Sequence, residues 1–257
     1  PNLSLPKLPI ALATAITGTS RAGRAMEGLV GMSNGAASQA AGSWVTPLEA
    51  LARGKLLDKP YLTANFVKAN RRTGLGGGGS YILGGLDTIN QSGNVTWLDV
   101  TSSVYWGADY DDMLIGTTSI APSSGLRMIM DTGSALINLP QSAAKQANAL
   151  IQGAFYSSSA GFWLVPCKTG LPEYEATLAA SQRNRQFTLV LGSQSFVVPP
   201  EDFVFYPNDP IDSSEEAPGT ADMCIGAFQR GPDAFAVVGA TFIKNHAVSC
   251  NEVLKGI

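Results

Sequence analysis

Apolar residues fall in short runs separated by turn-forming clusters along most of the chain. Residues 61–67 and 81–83 read as strands, and 97–104 alternates as a half-buried strand does. Residues 127–130 predict a strand leading into Asp131, and 136–139 predict another. Further short apolar runs follow at 162–165, 187–191, 196–198 and 235–238, with turns between them. Near the start, 2–11 reads as an extended segment, followed by a Gly/Ser/Thr-rich loop to Arg24. Residues 28–31 read as a short apolar strand pinched between Gly28 and Gly31. Two helices stand out. Thr46-Pro47-Leu48-Glu49 carries a cap, a proline at the first helical position and the glutamate of a capping box, and Gly54 ends that helix. Residues 140–151 place Ala143, Ala144, Ala147 and Ile151 along one face, with Gly153 just beyond. Strands dominate and no βαβ rhythm is present, so the fold class is mostly β.

Composition sharpens this picture. The 257 residues are 45% hydrophobic and only 14% charged, with 28 Gly and 15 Pro, which suits many short strands and excludes a disordered chain or a coiled coil. A formal net charge of -3 argues against nucleic acid as the main partner, because phosphate binding needs a basic surface. The charge is uneven: residues 1–75 hold nine of the 17 Lys/Arg but three of the 20 Asp/Glu, leaving the larger part acidic. No apolar run reaches the 18 or more residues of a membrane span. Lys7 and the apolar stretch after it resemble a signal peptide, but Pro6 and Pro9 interrupt it, and the reading is a mature strand. Three sequons, at Asn2, Asn90 and Asn94, permit glycosylation on a secretory route.

Residues 74–79 match the Gly-x-Gly-x-x-Gly pattern of dinucleotide sites, which requires a helix to follow. Residues 80–83 continue instead as a strand, so this run reads as a flexible connection between strands. The three cysteines, Cys167, Cys224 and Cys250, have no zinc-site spacing, and a single histidine excludes a His-rich metal site. His246, beside Asn245 near the chain end, reads as structural or exposed.

One stretch carries chemistry. Residues 127–140 run from an apolar strand to a carboxylate, Asp131, then through Thr132-Gly133-Ser134 into a second apolar strand. Such a loop can hold a carboxylate at the base of a cleft, with Gly133 admitting close backbone approach and two hydroxyls available to bond it. The same residues also suit an ordinary Asx turn between strands.

The segment resembles the second-lobe active-site loop of pepsin-like aspartic proteinases, and the resemblance continues in order along nearly the whole chain. Glu27-Gly28-Leu29-Val30-Gly31-Met32 is similar to a first-lobe segment of that family, with Glu in place of Asp. The stretches at 46–66, 79–87, Tyr105-Trp106, 153–167 and 237–243 match in turn. The implied architecture is a bilobal pepsin-like acid protease fold. Residues 1–98 would be the remainder of the N-terminal lobe and the inter-lobe strands. Residues 99–257 would be a complete C-terminal lobe. The departures are equally specific. Asp-Thr-Gly occurs once, nothing before Glu27 resembles the first active-site loop or the flap, and Ala240 and Ala135 replace a usual Asp and a usual Ser or Thr.

The resemblance implies an aspartic endopeptidase acting on peptide or protein substrates through a water activated by two aspartates, with no cofactor and no metal. Asp131 would be the catalytic residue of this chain, with Thr132, Gly133 and Ser134 supporting it. Leu29, Tyr105, Ile129 and Val238 would be subsite or pocket-wall residues, with core an equal reading for Ile129 and Val238. One aspartate cannot make a dyad, so the chain reads as the heavy chain of a two-chain enzyme, partnered by a light chain bringing the other aspartate and the flap. The alternatives are a catalytically inactive pepsin-like binding protein and a symmetric homodimer. Cys167 and Cys224 resemble the disulfide pair of the second lobe. Cys250 is left over, either as a buried thiol or as a link to the missing chain. The expected location is the secretory pathway, with the protein secreted or lysosomal/vacuolar.

Overall fold

Thr46 starts the first helix as its side chain predicts, because its Oγ1 accepts the Glu49 N–H at 3.3 Å over α1, Pro47–Arg53. The capping box is only half made: Glu49 turns forward to pair with Arg53 one turn on, instead of back to the cap. The computed structural model describes residues 3–5, 8, 10, 12, 28–33, 45–70, 75–90, 92–121, 126–183, 185–205 and 222–252. After α1 come β1 (Tyr61–Ala69), β2 (Gly76–Leu83), β3 (Gly107–Asp109), β4 (Asp112–Ile115), β5 (Thr118–Ser119), β6 (Arg127–Met130) and β7 (Ile137–Leu139). Helix α2 (Gln141–Ala149) is followed by β8 (Phe155–Ser157), β9 (Phe162–Pro166) and α3 (Pro172–Glu175). The remainder is β10 (Phe187–Leu191), β11 (Gln194–Val198), β12 (Val204–Phe205), β13 (Met223–Gly226), β14 (Phe228–Arg230), β15 (Ala236–Val238), α4 (Ala240–Ile243) and β16 (Val248–Asn251). The mostly β class holds.

Four sheets result, ordered β16-β1-β2, β11-β10-β4-β5, β12-β13-β9-β8 and β14-β7-β15-β6-β3. Alternation works as the pleat requires in β10, where Phe187, Leu189 and Leu191 are buried and the residues between are half-buried. The core centres on Phe228, whose ring lies 5.3 Å from Phe187 and 5.0 Å from Phe203. Helix α2 turns its buried Ala143, Ala144 and Ala147 toward the core. Pro140 offers that helix no cap, and the first N–H, of Gln141, is met by Asp233 from a distant loop at 3.1 Å. Buried Gln229 crosses between β14 and β9, giving its amide to the Trp163 and Gly226 carbonyls and accepting the Trp163 N–H.

Two tertiary links tie the layers. Cys167 and Cys224 form a disulfide across 57 residues, joining the end of β9 to β13. Asp202, almost fully buried, receives Lys68 of β1 at 2.7 Å, Lys244 after α4 at 2.8 Å and Asn245 at 2.9 Å. Burial alone would raise its carboxyl, but the two lysines and the amide outweigh that and hold it below the usual carboxylate range.

Three expectations need correction. Residues 28–31 form no strand, and Leu29 and Val30 stand exposed. Residues 97–104 are irregular, because Ser102 Oγ accepts the Val104 and Tyr105 N–H groups in a side-chain-capped turn and Thr101 N–H closes onto Gly107. The glycine run is not a loose connection but the first half of β2, antiparallel to β1. At Gly79, with φ +135°, any Cβ would collide with the Asn65 carbonyl of the neighbouring strand. The segment 2–11 and the loop to Arg24 lie largely outside the described residues.

Candidate active site

Strand β6 lies between β3 and β15 and delivers Asp131 at its end. Strand β15 is threaded between β6 and β7, parallel to the first and antiparallel to the second. The chain leaving Asp131 must therefore loop past β15 to reach β7. Asp131 N–H donates to the Val238 carbonyl at 3.0 Å, which ties the start of the loop to the central strand. The loop then closes on its own carboxylate. Gly133 N–H donates to Asp131 Oδ1 at 2.9 Å, and Ser134 Oγ donates to Oδ2 at 2.6 Å. Ser134 N–H also meets the Asp131 carbonyl at 3.2 Å. Each carboxylate oxygen thus accepts one charge-assisted bond, and no cation among the described residues pairs with it.

The other side of the loop is held from α4. Ala240 N–H donates to the Ser134 carbonyl at 2.7 Å, and both the N–H and the hydroxyl of Thr241 reach the Ala135 carbonyl at 3.0 Å. Gly239 is where the two segments cross, since any Cβ there would strike the Ser134 and Leu136 carbonyls. Neither Gly239 nor Thr241 stood out as a site residue in the sequence. The signal was an apolar run ending in glycine about a hundred residues from its partner.

The candidate residues divide. Asp131 and Ser134 are half-buried, while Thr132 and Gly133 are exposed. The Thr132 hydroxyl makes no hydrogen bond among the described residues. Ile129 is half-buried near Gly107. Val238 is fully buried in the core, so its side chain forms no pocket wall and only its carbonyl meets the loop. Tyr105 is partly exposed, with its ring 6.2 Å from Phe235. Leu29 is 85% exposed, and its segment is tied in where the Trp106 indole donates to the Met32 carbonyl at 2.7 Å. Glu27 lies outside the described residues.

A cavity of about 760 Å³ is bounded by Trp97, Trp106, Met130, Phe242 and His246 and does not include Asp131. Two of its titratable groups, His246 and Cys250, are poorly suited to chemistry. His246 is wedged between Phe196 and Phe242 with Nε2 2.8 Å from the Val197 carbonyl, and burial pushes its pKa down. Cys250 forms no disulfide, and burial, with Glu252 nearby, pushes its thiol up to about 12. The thiol form is therefore favoured at neutral pH.

The fold agrees with comparison to known sequences. The profile described as eukaryotic aspartyl protease matches residues 1–252. The chain belongs to this family. It is similar to rhizopuspepsin of Rhizopus chinensis, 30% identical over 80% of this chain and 45% of that protein. Syncephapepsin of Syncephalastrum racemosum is 26% identical over 95% of the chain and 53% of its own length. Penicillopepsin-1 of Penicillium rubens is 29% identical, with 75% and 41% covered. The chain spans about half the length of these curated relatives.

Proposed function

We propose that the chain is the heavy chain of an aspartic endopeptidase and supplies half of its dyad through Asp131. One observation carries this: a carboxylate at the end of a core strand, both oxygens bonded from its own loop, with Thr132 and Gly133 beside it open to solvent. The partner aspartate comes from a separate light chain that also brings the flap. Residues 1–98 complete the N-terminal lobe and the inter-lobe strands, and 99–257 form the C-terminal lobe. The disulfide supports a secretory location, secreted or lysosomal/vacuolar. Among the described residues no helix is long and apolar enough to cross a membrane.

Two carboxylates in contact share one proton and titrate as a pair. The ionised member takes a proton from water, whose oxygen attacks the peptide carbonyl carbon. The protonated member gives its proton to the carbonyl oxygen, and a proton passes to the nitrogen as the C–N bond breaks. In this scheme Ser134 and the Gly133 N–H orient Asp131, Thr132 bonds across to the light-chain loop, and Gly133 backbone meets substrate. Leu29, Tyr105 and Ile129 line subsites.

The Asp131→Asn heavy chain, co-expressed with its light chain, should lose acid peptidase activity. Full retention overturns the assignment. Native mass spectrometry should show a second polypeptide carrying its own Asp-Thr-Gly. A pair of identical chains overturns the two-chain reading, and a light chain with that aspartate replaced makes the protein a non-catalytic peptide binder.

A further inference from the structure

Two of the three sequons lie four residues apart, where the chain leaves β2: Asn90-Gln91-Ser92 and Asn94-Val95-Thr96. The third, at Asn2, falls outside the described residues. N-glycosylation requires the carboxamide nitrogen of the asparagine to be free for reaction, and the two environments differ in that respect.

The Asn90 carboxamide is already engaged. Its Nδ2 donates to both oxygens of Asp87, at 3.2 and 2.9 Å, and its backbone N–H reaches Asp87 Oδ1 at 3.1 Å. Ile89 N–H adds a further bond at 3.3 Å. Asp87 is itself 6% exposed and is held from β1 by Asn65 Nδ2 at 2.6 Å. The Asn90 amide, followed by the remaining donors, draws the Asp87 carboxyl below the usual carboxylate range, as expected of a carboxylate ringed by donors.

Every group that holds Asn90 precedes it in the chain, so this turn can close on the nascent polypeptide. Local closure takes about microseconds, whereas the ribosome adds roughly 5–20 residues per second. The engaged form can therefore close before the sequon reaches the transferase. Asn94 is different. It follows Gly93 in an irregular segment, it and Val95 are exposed, and its side chain makes no hydrogen bond among the described residues.

We propose that Asn94 is an N-glycosylation site of this protein and that Asn90, with an equally valid sequon, is not modified. In the transfer, the Asn94 carboxamide nitrogen attacks the anomeric carbon of a lipid-diphosphate-linked oligosaccharide. The bond from that carbon to the diphosphate oxygen breaks, the lipid diphosphate leaves with the electron pair, and the nitrogen gives up one proton. Asp87 protects Asn90 by holding the competing nitrogen.

The inference rests on the secretory reading above, so the test uses the full chain behind a secretory leader in a eukaryotic host, read by glycopeptide mass spectrometry and not by peptidase activity. The Asn94 peptide should carry a glycan and the Asn90 peptide none. Asn94→Gln should remove that glycan mass and leave Asn90 empty. Adding Asp87→Ala to that variant should place a glycan on Asn90. A glycan on Asn90 while Asp87 is present, an unmodified Asn94, or an Asn90 still empty after Asp87→Ala overturns the proposal. Failure of the secretory reading shows separately, as no glycan on the protein from its own cells while the leader-borne chain is modified at Asn94.

Discussion

The two bonds that hold Asp131 differ in how they can be removed. The Gly133 bond comes from the backbone and survives any side-chain change, whereas the Ser134 bond depends on one hydroxyl. A hydrogen bond to a charged group contributes about 1.5–3 kcal/mol. On the proposed function, Ser134→Ala in the assembled two-chain protein should therefore lower kcat by about tenfold or more with KM little changed, because the bond it loses falls on the Asp131 carboxylate. Steady-state kinetics on a peptide substrate checks this, and an unchanged kcat removes Ser134 from the positioning role. At this scale the sequence was informative about the loop itself. Asp131, Thr132, Gly133 and Ser134 are consecutive, so their bonds are local and follow from spacing. Val238 was not decided, because core and pocket wall require the same residue type and differ only in what lies beyond the side chain.

Among elements, the link at Asp202 joins the β16-β1-β2 sheet to the chain around α4, through Lys68 and Lys244. Removing the buried charge leaves Lys244 without its ion pair and Lys68 with only Glu201 at 3.7 Å, and because both lysines are partly exposed the loss is about 1–3 kcal/mol. Asp202→Asn should lower stability by that amount at neutral pH, read by urea denaturation. The pH dependence has a definite sign. The folded pKa is depressed, so the stabilisation is fully present above the unfolded value of about 3.9 and is lost as pH falls through the lower folded value. The gap between wild type and Asp202→Asn should close only below about pH 4. A gap that stays constant down to pH 2 overturns the ionic account. The elements legible in the sequence were those with a strong local signal: α1 from its cap and proline, and β6 and β10 from their apolar runs. Short strands such as β12 and β14 have too few residues to show a period, and they exist because a neighbouring strand supplies their hydrogen bonds.

For the molecule as a whole, the disulfide closes 57 residues, a loop whose cross-link contributes on the order of 4 kcal/mol. The double Cys167→Ser, Cys224→Ser variant should lose about that much stability in urea at equilibrium, and wild type should fall to the same level in reductant. Equal stability of the oxidised and reduced wild type would show that the bridge adds nothing to the fold. Cys250 should not react with thiol reagents in the folded chain, since its thiol is pushed up to about 12. By itself the sequence determined the mostly β class, the local Asp131 loop and the family resemblance, because each rests on neighbouring residues or on motifs in order. Only the tertiary structure decided that the glycine run is a paired strand, that Gly239 and Thr241 clamp the Asp131 loop, and that Asp233 caps α2. Those contacts join residues far apart in the chain, and a linear pattern carries no record of which distant backbone groups will be left needing a partner.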